Sequence, residues 1–140
     1  MKISTAGKLG FAAIILAGGL LAFFLRSPQR VPAVTPEEAE RLLKEDSSLV
    51  ILDVRTPEEF AGPGGHLHGA RLIAVQELEA RLAEIEPFRE RTILVYCRTQ
   101  NRSSRAAELL AGRGFRPIIM TGGITRWNAE QRPVTVEHQP

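Results

Sequence analysis

Cys97 is the only cysteine in this chain of 140 residues. It follows an apolar, strand-like run, Arg91-Thr92-Ile93-Leu94-Val95-Tyr96. After it come a short polar stretch, Arg98-Thr99-Gln100-Asn101-Arg102, and a helical pattern from Ser103 to Leu110. Strand, cysteine, tight loop and helix in that order aim backbone N–H groups and the positive end of a helix at one sulfur. An ordinary thiol has a pKa of about 8.5, so only about 3% is thiolate at pH 7. A helix N-terminus and nearby arginines lower that pKa by one to several units. Five arginines and a single acid, Glu108, fall between residues 97 and 116, so a positive local field suited to an anionic substrate is expected. The amides from Arg98 to Ser103 are candidates for an anion-binding nest, with Ser103 as the cap of the helix that follows. The alternative is a buried structural cysteine that merely ends a strand.

No partner for acid–base work accompanies this sulfur. The histidines are His66, His68 and His138, and none forms a pattern typical of a thiol protease. A dithiol motif needs a second cysteine. The residues therefore describe a lone, electrostatically activated thiolate. Such a group suits transfer of a soft atom or an oxyanion from an acidic leaving group, which needs little proton help. Three scattered histidines and one cysteine make no metal-ligand spacing, and no nucleotide-binding loop is visible. No cofactor is expected.

The elements around Cys97 read as alternating α and β. Thr35-Pro36-Glu37-Glu38 is a capping signature opening a helix to about Glu45, and Thr56-Pro57-Glu58-Glu59 repeats it before a short helix. Leu49 to Val54 is almost wholly apolar, as in a strand buried on both faces. Gly62 to Gly65 reads as a loop, Ala70 to Val75 as a short strand, and Gln76 to Ile85 as an amphipathic helix with Leu78, Leu82 and Ile85 inward. A buried strand is expected over Arg116 to Met120, and a last helix over Ile124 to Glu130, with Trp127 packing it down. The pattern predicts an α/β domain with a mainly parallel central sheet flanked by helices. In such sheets ligands bind at the carboxyl ends of strands, where Cys97 falls. Asp53, Arg55 and Glu59 are read as structural support, with Asp53 bonding loop amides and Arg55 pairing with Glu59 across a turn. His66 is read as a satisfied structural histidine.

The N-terminal region differs in kind. Leu9 to Leu25 runs 17 residues without a charge, preceded by Lys2 and Lys8. As a helix it spans about 26 Å, near the lower limit for crossing a bilayer. An uncleaved single-span anchor is expected, with a cleaved signal and a buried helix as alternatives. The anchor reading places the rest of the chain outside the cytoplasm, in the periplasm or beyond. The expected organisation is residues 1–26 as anchor or signal, 27–34 as a Pro-containing tether, 35–132 as the domain and 133–140 as a tail. The net charge of +2 comes from the leader. Residues 27–140 hold 15 of the 18 basic residues and all 16 acidic ones, a net charge of −1, which gives no support to nucleic-acid binding.

Four stretches in this order resemble the rhodanese family: Asp53 to Phe60 (DVRTPEEF), Gly65 to Ala70 (GHLHGA), Tyr96 to Ser103 (YCRTQNRS) and Gly122 to Trp127 (GGITRW). Gly114-Phe115 falls where the family has a Gly-Phe pair. The resemblance covers roughly residues 35–132. It implies a rhodanese-like sheet and a sulfurtransferase, with Cys97 as the catalytic residue and Arg98, Thr99, Gln100, Asn101, Arg102 and Ser103 binding substrate. The substrates implied are a small anionic sulfur donor such as thiosulfate and a thiol, thiol-protein or cyanide acceptor, joined by a Cys97 persulfide. Cys97 to Arg102 is a six-residue loop, the length associated with sulfur transfer. Related phosphatases and arsenate reductases carry one residue more. Gln100 and His68 depart from the family's common Gly and Pro. A rhodanese fold used only as an interaction module at the membrane is the main rival reading.

Overall fold

The computed structural model describes residues 30–136. The candidate anchor at 9–25 lies outside the described residues. Among those described, no helix is long and apolar enough to cross a membrane.

Local chemistry sets the first elements. In α1 (Pro36–Glu45) the Thr35 hydroxyl accepts from the Glu38 amide at 3.2 Å, and the Glu38 carboxylate accepts from the Thr35 amide at 2.8 Å. Pro36 adds a preset φ where no N–H is needed. The same capping box opens α2 (Pro57–Ala61) around Thr56 and Glu59. Such caps contribute about 1 kcal/mol each.

Five strands form one sheet: β1 (Ala33–Val34), β2 (Val50–Asp53), β3 (Arg71–Leu72), β4 (Thr92–Tyr96) and β5 (Arg116–Met120). Their order is β1-β5-β4-β2-β3, and every pairing is parallel. Alternate residues of the central strands feed two apolar layers. Val50, Leu52, Ile93, Val95 and Cys97 join Ala106 and Leu110 of α3 (Asn101–Gly112) on one face. Ile51, Leu94, Tyr96 and Met120 meet Ala39 of α1 with Ile124 and Trp127 of α4 (Gly123–Ala129) on the other. Trp127 is buried and donates its indole N–H to Pro133 O at 3.0 Å.

Several sequence expectations are corrected. Residues 76–85 form no α-helix. They run through turns into two 3₁₀ turns, Leu82–Glu84 and Glu86–Phe88, held by bonds such as Ile85 N to Leu82 O at 3.1 Å. Pro87 has no N–H to donate to a continuing α-helix, and so short a helix is marginal. Leu78 and Ile85 still point inward and are fully buried. The strand expected over 70–75 shrinks to Arg71–Leu72.

The domain also reaches past both expected boundaries. Ala33 and Val34, assigned to a tether, are an edge strand; Pro32 O and Val34 O accept from the Ile119 and Thr121 amides, each at 2.9 Å. Thr135, assigned to a tail, exchanges backbone bonds with His66 at 2.8 and 2.9 Å.

Candidate active site

Cys97 stands just past the carboxyl end of β4, the middle strand, and is free and 1% exposed. The loop beyond it is braced from α4. The Ile124 and Thr125 amides donate to Cys97 O and Arg98 O at 2.9 and 3.0 Å. Gly123 makes this approach possible. Its φ is +55°, and a Cβ there would collide with Cys97 O, Thr99 O and the Arg98 carbonyl carbon.

That bracing aims the loop's donors. A trans peptide holds C=O and N–H on opposite sides, and the described chain contains no cis bond. With Cys97 O and Arg98 O turned to α4, the Arg98 and Thr99 amides face away from it. The α3 helix then starts at Asn101, two residues before the expected Ser103, so the first-turn amides have no intrahelical acceptor. Ser104 N is the first to find one, Gln100 O at 2.9 Å. Among the described residues, nothing accepts a hydrogen bond from the N–H groups of residues 98–103. Six consecutive N–H groups without a partner among the described residues, beside a sulfur, are the kind of donor set from which anion nests are built.

Ser103 does not cap α3. It is fully buried, its hydroxyl donates to Gln100 O at 2.8 Å, and it lies 3.5 Å from Cys97 Sγ, within reach of the S–H. Gln100 adopts φ −160°, open to any residue, so the family's common Gly is not required there. Arg98, Thr99, Gln100 and Asn101 are exposed around the mouth.

The supporting acids and bases pair differently from expectation. Arg55 does not pair with the Glu59 carboxylate. It clamps Asp53, with Nη2 to Oδ2 at 2.7 Å and Nε to Oδ2 at 2.9 Å, and it donates to the Glu59 and Gly65 carbonyls at 3.2 and 2.8 Å. Burial works against the Arg55 charge, but the bonds to Asp53 outweigh it and raise its pKa. Asp53 also accepts from the Arg55 amide at 2.9 Å, as the sequence led us to expect. Beside them burial, and then the charge of Asp53, push the Tyr96 phenol up; its oxygen accepts from the Leu67 amide at 3.1 Å.

Glu59 instead grips Arg102 in a two-pronged pair at 2.6 and 2.7 Å. Arg102, expected to stand free toward substrate, is thereby tied to α2. Its guanidinium lowers the Glu59 carboxyl to about 2. His66 is buried, stacked on Phe60 with centroids 3.7 Å apart, and its Nδ1 sits 3.2 Å from Phe60 O, a structural role. His68 is exposed beside Thr135.

Sequence reasoning missed the Glu59–Arg102 pair, the contact of Ser103 with the sulfur, and Gly123 as the brace point. The Gly122-Gly123 doublet carried the only local signal for the last.

Comparison with known proteins agrees with this geometry. The model of the rhodanese-like domain matches residues 35–130. An uncharacterized protein of Bacillus subtilis, YqhL, is 31% identical over 121 residues, covering 86% of this chain and 89% of its own. The thiosulfate sulfurtransferase PspE of Escherichia coli is 33% identical over 73 residues, 52% of this chain and 68% of its own. A sulfurtransferase of Allochromatium vinosum is 28% identical over 105 residues, 74% of this chain and 94% of its own. The crystal structure of a rhodanese-related protein from Thermoplasma volcanium superposes with a TM-score of 0.68 at 28% identity, covering 76% of this chain and 99% of that one. The chain belongs to the rhodanese-like domain family, which counts sulfurtransferases among its members.

Proposed function

We propose that this chain is a sulfurtransferase that carries sulfane sulfur from a donor such as thiosulfate to a thiol or cyanide acceptor as a Cys97 persulfide. The observation that carries this reading is the run of amides over residues 98–103, without a partner among the described residues, beside the sole cysteine.

The Cys97 thiolate attacks the outer sulfur of thiosulfate. A new S–S bond forms, the old one breaks, and its electron pair leaves with sulfite. The persulfide keeps one negative charge. An acceptor thiolate then attacks the outer sulfur and returns Cys97 as thiolate. No oxidant or metal enters the balance. The amides first hold the donor's oxyanion end and then the persulfide anion, with Arg98 drawing the anion in. At 1% exposure, Cys97 suits a protruding terminal sulfur better than a bulky tetrahedral group. The six-residue loop favours the same choice. Inserting one residue between Cys97 and Arg102 is expected to abolish sulfur transfer; unchanged transfer would refute the loop-length argument.

The proposal includes a membrane tether through residues 9–25, with the domain facing the periplasm or outside. Its support is the uncharged 17-residue run behind Lys2 and Lys8. Alkaline extraction of cell membranes tests it, and a chain released to the soluble fraction would sink it.

The test of the chemistry is intact mass of the full chain before and after thiosulfate. One added sulfur, removed by cyanide or a thiol and absent in Cys97→Ala, is the expected result. A folded protein that gains no sulfur from any sulfane donor would leave the fold as a binding module.

A further inference from the structure

Charge around the sulfur loop is unevenly compensated. Of the five arginines between residues 97 and 116, Arg102 is held by Glu59, Arg113 by Glu79 and Arg116 by Glu90. Arg98 and Arg105 are both exposed, and no described carboxylate lies within 4.0 Å of either. The remaining exposed residues from Thr99 to Asn101 carry no charge. Arg105 stands four residues after Asn101 on α3, so the two share a helix face one turn from the loop. Cys97 is enclosed, so a protein acceptor that brings a thiol to the outer sulfur comes against the exposed residues of this loop.

Resting on the sulfurtransferase reading above, we propose that Arg98 and Arg105 form a docking rim for an acidic protein acceptor, one whose thiol is flanked by carboxylates. The rim offers uncompensated cations and a neutral polar floor, complementary to a cysteine set among Asp or Glu. Exposed charges at a rim act mainly through association rate and salt dependence. Arg105 lies outside the sulfur-binding loop, so it separates docking from chemistry.

The test uses the full chain, loaded with sulfur from thiosulfate, and three acceptors: dithiothreitol, a cysteine peptide flanked by glutamates, and the same peptide flanked by lysines. At low ionic strength the glutamate peptide is expected to accept sulfur with a kcat/KM about tenfold above the lysine peptide, an advantage that fades as salt rises. Arg105→Glu should remove or invert that preference, while loading by thiosulfate and transfer to dithiothreitol stay within about twofold. Equal rates for the two peptides would overturn the proposal. So would an equal fall with dithiothreitol, which would make Arg105 a structural residue. Arg105-dependent binding to anionic lipid vesicles without peptide discrimination would assign the rim to a membrane surface and likewise overturn it. Failure of sulfur loading would show before any acceptor is added, and would refute the sulfurtransferase reading itself.

Discussion

Glu59 never touches the sulfur, yet among the described residues its carboxylate is the one bound to the cysteine loop. Glu59→Gln keeps the shape and removes the charge. It should cost about 1–2 kcal/mol, since the pair is two-pronged and only about a quarter exposed. The pH dependence has a definite sign. The Glu59 carboxyl falls from 4.5 to about 2 on folding, because of Arg102. The unfolded chain therefore binds the proton first as pH falls. The pair's stabilisation is complete above about 4.5 and disappears as pH drops through that window to about 2. Urea midpoints of wild type and Glu59→Gln at pH 6 and pH 3 check this. The gap should narrow at pH 3, and a constant gap would show that the pair contributes nothing through its charge. The sequence named both residues but not their partnership, because 43 positions separate them and no local pattern encodes such a contact. Cys97 was legible because its chemistry is written in its neighbours. The buried Asp53–Arg55 pair was half legible: the residues stood out, but the turn pointed to Glu59 as the partner of Arg55 rather than to Asp53, two residues before it.

Elements show the same division between local and distant causes. The helices opened by Thr35 and Thr56 were readable because each capping box closes within four residues. The strand β1 was not, because two residues carry no periodicity and their partner lies in β5. The segment 76–88 misled because an inward apolar spacing is common to a helix and to a pair of tight turns. A brace between elements is the most sensitive target at this scale. Gly123→Ala places a methyl group into the backbone of the cysteine loop at a left-handed φ. It should destabilise the domain by about 2–3 kcal/mol and cut sulfur transfer more than tenfold. Thr35→Ala is the matched control. It removes a cap on α1, away from the loop, and should cost about 1 kcal/mol while leaving kcat/KM unchanged. Thermal melts and thiosulfate turnover on the two variants decide the matter. Equal activity loss in both would mean that global stability, not the brace, controls the site.

For the whole molecule, the parallel sheet fixes a polarity. All five strands run the same way, Cys97 lies just past the carboxyl end of β4, and the described chain enters β1 through Pro32 at the sheet edge, with Ala33 in register with Ile119 of β5. Net charge does not distinguish the ends of the sheet, because the domain is close to neutral and its arginines are mostly paired. Beside the loop, Arg98 and Arg105 have no carboxylate partner among the described residues. Steering of an acidic partner should therefore be directional, and raising ionic strength from 0.01 to 0.15 M should slow only acceptors that carry net negative charge. Stopped-flow transfer rates across that range check this, and a neutral thiol with the same salt slope would contradict it.

The polarity of β1 also has a practical meaning for anyone who handles the protein. A linker joined ahead of Pro32 meets the sheet at its β1 edge, two strands from β4, where the chain runs toward the carboxyl ends rather than out from them. Attachment there to a bead, an electrode or a display scaffold should keep the catalytic mouth open to solution. A fusion partner grafted at that point would act as a handle rather than as a lid.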